Sequence, residues 1–378
     1  MRIAAVTPAF HPATHYGGPI ASTLGLLQGL ARLGCQVRVL TTNANGPSVL
    51  AVDTAREVEL EPGLSVTYLP RLLPDAVAPA LLPEVVRLVR WSQAVHLTGV
   101  YSFTTPFGLS VARTFDRPLV WSLRGSLQRW ERTRSQKLKA LWERACRLAL
   151  PRRTLLHVTS EDEERESKLR MPGVPALVLP NGVELPPRPP QKTESAELRL
   201  VFMGRLDPIK GIENLLEACA AMGPELPFSL ELAGRGTAEY EASLESRSSA
   251  LGLGGRVRFL GDVRGPAKSE LFARADLLVL PSHVENFGMV VLEALAHATP
   301  VIASRGTPWR ALEDARVGLW VDNSPDSLRE AIARCRQLPL REMGERGRRW
   351  VEESYAWPAI ARHMLEAMTE LQGSARPL

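Results

Sequence analysis

The chain has 378 residues, 45% hydrophobic and 23% charged, with 46 Lys and Arg against 41 Asp and Glu and a formal net charge of +5. That composition is globular, with room for two domains of ordinary size, and excludes a disordered or fibrous chain. Cys35, Cys146, Cys219 and Cys335 are too scattered for a disulfide framework or a metal-ligand motif, and no run approaches the ~18 apolar residues of a membrane span.

The opening "RIAAVTPAF" reads as a strand more than as a signal peptide, so a cytoplasmic chain is expected. "HPATHYGG" follows as a loop, with Gly17 and Gly18 where a strand gives way to a helix and a ligand could approach the backbone closely; a plain turn uses the same residues. "PIASTLGLLQGLARLG" is a helix with Pro19 at its start and Gly34 at its end, and "CQVRVLTT" completes a βαβ unit. Further strands are expected at "AVHLTG", "PLVWSL", "LLHVTS" and "ALVLPNG", with Ser160 and Glu163 as a capping box for the helix after the third of these.

Between Arg124 and Arg153 lie ten Lys or Arg against Glu131 and Glu143, with Trp130, Leu138, Leu141, Trp142, Ala145 and Leu148 at mostly helical spacing. Such a helix either buries its apolar stripe in the core and solvates its basic face, or lies on an anionic membrane surface or steers an anionic acceptor. No RRM, KH or helix-turn-helix signature accompanies it, so a nucleic-acid partner is not expected.

Pro186, Pro187, Pro189 and Pro190 then mark a semi-rigid linker. The expected division is a domain at 1–185, a linker at 186–196, a second domain at 197–356 and a closing helix at 357–378. The second half repeats strand and helix: "LRLVFMG", "IENLLEACAAM", "FSLELAG", "YEASLESRSSAL", "VRFLG", "KSELFARA", "DLLVLPS", "MVVLEALAHA", "PVIAS", "GLWVD", "DSLREAIARCRQL". Repeated βα units imply parallel sheets covered by helices on both faces, here two doubly wound Rossmann-like domains facing each other across a cleft.

Two stretches carry chemistry. In "MGRLDPIKGIENLL", Arg205 and Lys210 surround a helix start and can clamp a diphosphate, although a lone Lys there is commonly solvated. In "PSHVENFGMVVLEALAHATPVIAS", Glu285, Asn286 and Gly288 fall on the loop leaving a strand, and Phe287 to Val290 are expected to form the first helical turn. Ligands of open α/β sheets bind at such strand ends. Free N–H groups at a helix start suit phosphate, while Glu285 and Glu293 as acceptor-only groups suit hydroxyls; a nucleotide sugar carries both.

With "GRLDPIKG", "TSEDE", "LPNGVEL" and "TPAFHPATHYGGP", these stretches resemble the GT4-like retaining glycosyltransferases of the GT-B fold, the two carboxylates matching that family's E-x7-E pattern. The resemblance covers essentially the whole chain. It implies that Arg205 and Lys210 hold the donor's diphosphate. Glu285, with N–H groups around Asn286, Phe287 and Gly288, would bind the transferred sugar, and Glu293 the ribose. Gly17 and Gly18 would approach donor and acceptor, and Gly234 would sit on a further donor-side loop.

It also implies a nucleotide diphosphate sugar donor, a sugar, glycan or lipid-linked acceptor in cell-envelope or exopolysaccharide assembly, and no metal or other cofactor. One departure stands out: where many members carry His, often followed by Gly, this chain has Arg124 and Gly125. Arg cannot be a general base, but a front-face displacement, in which a leaving phosphate oxygen takes the acceptor's proton, needs none. A nucleotide-sugar epimerase and a non-catalytic nucleotide-sugar-binding protein remain the alternatives.

Overall fold

A computed structural model describes residues 1–54, 56–72, 78–128, 135–186, 195–223 and 226–374. Most of the expected linker, at 187–194, and the segment 129–134 with Trp130 lie outside these. The chain forms two compact units, one of Met1–Gly182 with the chain from Trp357 onward, the other of Val183–Ala356. The first boundary falls at Gly182 and not at 185, because Val183 donates its N–H to Tyr355 O at 2.9 Å and so belongs to the second unit.

The first unit runs β1 (Arg2–Val6), α1 (Gly18–Arg32), β2 (Gln36–Thr42), β3 (Ala44–Asn45), β4 (Ser48–Val49), β5 (Glu57–Glu61), β6 (Leu64–Leu69), α2 (Leu81–Trp91), β7 (Ala94–Thr98), α3 (Thr104–Thr114), β8 (Leu119–Ser122), α4 (Gln136–Ala149), β9 (Thr154–Val158), α5 (Glu161–Arg170) and β10 (Ala176–Val178). Its sheet has the order β10-β9-β8-β7-β1-β2-β6-β5 and is parallel except at the β5 edge. Strands β7, β8 and β9 are buried at every position, as the near-continuous apolar runs of a sheet covered on both faces require.

The second unit follows with β11 (Leu198–Met203), α6 (Ile212–Ala220), β12 (Phe228–Ala233), α7 (Ala238–Ala250), β13 (Val257–Gly261), α8 (Gly265–Arg274), β14 (Leu277–Leu280), α9 (Met289–Ala296), β15 (Val301–Ser304), α10 (Ala311–Asp314), β16 (Gly318–Val321), α11 (Pro325–Cys335) and α12 (Leu340–Ser354). All six of its strands are parallel, in the order β13-β12-β11-β14-β15-β16. The last helix, α13 (Trp357–Gly373), returns to the first unit, where Trp357, Ile360, Ala361, Met364, Met368 and Leu371 join the core beneath α1. Small residues make that packing close: a Cβ on Gly25 would lie 2.2 Å from the Trp357 ring, and one on Gly29 2.6 Å from Ala361 Cβ.

Two local expectations need correction, and one alternative is decided. The capping box of α5 is half formed: Ser160 Oγ accepts from Glu163 N–H, but the Glu163 carboxylate takes the N–H and hydroxyl of Thr159 and the N–H of Gly125, and so does not return to the Ser160 N–H. Phe287 and Gly288 precede α9, since Gly288 adopts φ 77° as its N-cap and the helix starts at Met289. The apolar stripe of α4 is not in the core. Leu138, Leu141 and Leu148 are 67%, 64% and 72% exposed, while Cys146 and Glu143 are buried. All four cysteines are free and buried.

Candidate functional site

In the second unit the strand order reverses direction between β11 and β14, and ligands of open α/β sheets bind outside the carboxyl ends of strands at such a switch point. The loop leaving β11 carries Gly204, Arg205 and Asp207, then a 3-10 turn at Pro208–Lys210. The loop leaving β14 carries Pro281 to Gly288. Backbone and side chains lock the two loops together. His283 N–H donates to Ile209 O at 2.8 Å, and Lys210 Nζ forms an ion pair with the Glu285 carboxylate, both side chains being 16% exposed. Gly211 ends the turn at φ 62°, and a Cβ there would lie 2.2 Å from Pro281 O, so no larger residue fits between the loops. A third loop joins through Glu285 N–H, which donates to Gly306 O at 2.9 Å.

Arg205 stands at the edge of this group, 69% exposed, with Asp207 at 3.4 Å; Asp207 is itself fixed by accepting the Ile209 N–H at 3.1 Å. Gly234 brings the loop after β12 onto the loop after β11: its φ is 149°, and a Cβ would stand 1.8 Å from Gly204 O. Phe287 is buried against Trp309, ring centroids 5.1 Å apart, and its carbonyl accepts from Trp309 Nε1, which anchors the Asn286–Gly288 backbone from below. The start of α9 leaves the Met289 and Val290 N–H groups without intrahelical partners. Glu293 lies one turn into α9, 20% exposed, with Lys268 Nζ of α8 at 2.6 Å. The sequence gives no signal for Lys268, a single Lys on an ordinary helix.

Gly17, Gly18 and Arg124 belong to the first unit. Gly17 caps α1 at φ 63°, and Gly18 is the helix's first residue. Arg124 follows β8 with φ 54°, unusual for a residue with a Cβ. Its Nη1 donates to Asn181 Oδ1, whereas Nε and Nη2 are buried with no hydrogen-bond partner among the described residues. Burial pulls its pKa down to about 10, with the Glu163 carboxylate opposing the shift.

Beneath it runs a buried chain: His96 Nε2 to Ser122 Oγ at 2.8 Å, Ser122 Oγ to His157 Nδ1 at 2.7 Å, and His157 Nε2 to Leu179 O at 2.9 Å. The Leu179 carbonyl only accepts, so His157 carries its proton on Nε2 and accepts from Ser122, which in turn accepts from His96 Nε2. Both rings are neutral: burial, reinforced by the Arg124 charge, lowers His96 to about 3 and His157 well below the ordinary range. The capping role read for Glu163 missed its tether to Gly125, and Asn181 was visible only inside "LPNGVEL".

Of the expected site residues, the structure therefore gathers Arg205, Lys210, Gly234, Glu285, Asn286, Phe287 and Gly288 around the end of the β11–β14 pair, with Glu293 on the adjoining helix. The group combines cations, helix-start N–H groups that have no intrahelical partner, and carboxylate acceptors, a set suited to a ligand with both phosphates and hydroxyls. Among the described residues no group of three or more His, Cys, Asp or Glu is placed to hold a metal ion.

A family model described as Glycosyl transferases group 1 matches residues 188–357, and one described as Glycosyl transferase 4-like domain matches residues 17–182. The chain is 34% identical over 211 residues to D-inositol 3-phosphate glycosyltransferase of Geodermatophilus obscurus, covering 51% of this chain and 47% of that protein. Thus the chain spans about half the length of that relative. The enzyme of the same description from Kineococcus radiotolerans is 29% identical over 412 residues, covering 95% of this chain and 92% of that protein.

Among solved structures, sucrose-phosphate synthase from Thermosynechococcus elongatus superposes with a TM-score of 0.75 at 22% identity, over 98% of this chain and 99% of that one. Anabaena HepE in complex with UDP and glucose gives 0.72 at 18% identity, over 98% and 100%.

Proposed function

Because the chain belongs to the group 1 glycosyltransferases, with the GT-B fold, we propose that it moves a sugar, with retention, from a nucleotide diphosphate sugar to a sugar, glycan or lipid-linked acceptor in cell-envelope or exopolysaccharide assembly on the cytoplasmic side. The observation that carries this reading is the Lys210–Glu285 ion pair at the switch point of the second unit. An ammonium has three donors, so Lys210 can keep Glu285 while reaching a phosphate oxygen. Glu285 is then held at fixed depth, with its carboxylate placed to accept from a sugar hydroxyl. Arg205, exposed beside it, supplies a second cation to a diphosphate whose charge grows as it leaves, an electrostatic contribution that requires no metal.

Glu293, held by Lys268, is assigned the ribose hydroxyls. Arg124 stays protonated and cannot take the acceptor's proton, so we assign that proton to a leaving phosphate oxygen. HepE has been crystallised with UDP and glucose and with UDP-glucose, which makes uridine diphosphate sugars the first donors to try.

The test is release of nucleoside diphosphate from UDP-, GDP- and ADP-sugars with and without glycan and lipid-linked acceptors. Release that depends on acceptor, and is lost in Glu285→Gln, supports transfer. Interconversion of donor sugars without acceptor would identify an epimerase. Nucleotide-induced thermal stabilisation with no turnover would identify a binding protein.

A further inference from the structure

The fold turns an apolar, basic helix face away from its own core. Helix α4 is fixed by its inner side: Trp142 Nε1 donates to Val100 O at 2.8 Å, Tyr101 OH donates to the Glu143 carboxylate, and Arg147 Nη1 donates to Arg170 O at 2.7 Å. Cys146 is buried beside them. Those contacts set the rotation of the helix, and at about 3.6 residues per turn they leave Leu138, Leu141, Ala145 and Leu148 as one outer stripe.

The three leucines are 67%, 64% and 72% exposed. Lys137 and Arg144, both exposed, run along the edge of the stripe. The helix's one acidic residue, Glu143, is turned inward at 3% exposure, so the outer face carries only positive charge.

Single exposed leucines need no explanation, but three aligned ones bordered by cations are the surface of an interfacial helix. A second copy of this chain is a poor occupant, since two such faces would set Lys137 and Arg144 against their own kind. We propose that the outer face of α4 docks on an anionic lipid bilayer, Leu138, Leu141 and Leu148 entering the boundary of the acyl layer while Lys137 and Arg144 meet lipid phosphates. No helix among the described residues is long and apolar enough to cross a membrane. The contact is therefore peripheral and reversible. It goes beyond sugar transfer and does not depend on it.

Flotation of the purified full chain with vesicles tests it, using phosphatidylcholine alone and phosphatidylcholine with phosphatidylglycerol. The wild type is expected to float with the anionic vesicles only and to be released by salt. The triple variant Leu138→Ser/Leu141→Ser/Leu148→Ser and the pair Lys137→Ser/Arg144→Ser should each lose about tenfold or more in partition. All five side chains point outward, so both variants should melt with the wild type, which separates lost docking from lost folding.

Equal binding to neutral vesicles, or undiminished binding of the triple variant, would overturn the proposal. So would a stable dimer that the triple variant dissolves, because it would assign the face to a second copy. Sugar transfer is not read in this experiment, so a negative result leaves the donor site standing and an inactive enzyme leaves the docking face standing.

Discussion

Lys210 and Glu285 lie 75 residues apart in the chain and form an ion pair where β11 and β14 end side by side. Each belongs to a different strand-to-helix loop, so the pair joins the two loops on which a ligand at the switch point must rest. Its carboxylate and ammonium are mostly withdrawn from water, and each satisfies the other before any ligand arrives.

Breaking that pair from one side should therefore harm stability and turnover together. Lys210→Met leaves a largely buried carboxylate without its cation, a loss of about 1–3 kcal/mol. The double variant Lys210→Met/Glu285→Gln removes both charges and should recover most of the melting temperature while staying at least about 100-fold below wild type in kcat/KM. Thermal melts and steady-state kinetics on the same preparations decide it. Recovery of activity with stability would reduce the pair to a structural link.

Glu293 and Lys268 divide binding from support. If Glu293 accepts from the ribose hydroxyls, Glu293→Ala should weaken nucleoside diphosphate binding by about 1.5–3 kcal/mol, the range for hydrogen bonds to charged groups. Lys268 supports the site through the Glu293 carboxylate and is 30% exposed, so Lys268→Ala should weaken binding by less than about tenfold. Calorimetric titration with the nucleotide found to stabilise the protein is the measurement. Unchanged affinity in Glu293→Ala would remove the residue from the site.

The donor-side loops also rest on a close backbone approach. Gly234→Ala would place a methyl 1.8 Å from Gly204 O at a φ of 149°, and neither backbone can yield without moving a site loop. A destabilisation of about 2–4 kcal/mol is expected, from strain and steric displacement together. Gly254→Ala is the control: nothing lies within 4 Å of its Cβ position, and its change should stay within about 0.5 kcal/mol. Denaturant unfolding of both variants measures the difference.

Much of this architecture can be read from the chain, for a physical reason. Buried parallel strands must be apolar runs, and the loops between them must turn with Gly, Pro and Asp, so the βα alternation and the positions of Arg205, Lys210, Glu285 and Glu293 are local facts. The sheet order, however, depends on which runs become neighbours, and alternation is silent about that. The same holds for partners: Arg124 finds Asn181 57 residues away, and Glu163 finds Gly125 38 residues away. The edge strand β5, "EVELE", alternates acids with Val58 and Leu60, the period-2 pattern of an edge strand and not the buried apolar run that marks the inner strands. In α4, spacing reveals a stripe but not its direction. Trp142 and Glu143, inward through polar contacts, turn the leucines outward.

The neutral histidine pair makes acid sensitivity calculable in sign. His96 is held at about 3 in the folded protein, and His157 well below the ordinary range. In the unfolded chain both rings take up a proton near pH 6.5. Between those limits the unfolded state binds more protons than the native one, so stability rises with pH there. The contribution is complete above about pH 6.5 and is lost as pH falls toward 3; at pH 5, His96 alone should cost about 2 kcal/mol relative to pH 7.

Other groups titrate in this range, so the test is a difference. His96→Gln keeps a donor toward Ser122 and does not titrate. Its unfolding free energy should fall less between pH 7 and pH 5 than the wild type's, by about 2 kcal/mol. Equal losses in the two proteins would mean that His96 is protonated in the native state after all. The order of bonds from His96 through Ser122 to Leu179 O would survive, since an imidazolium still donates from Nε2, but the buried Nδ1 would then carry a proton with no acceptor among the described residues.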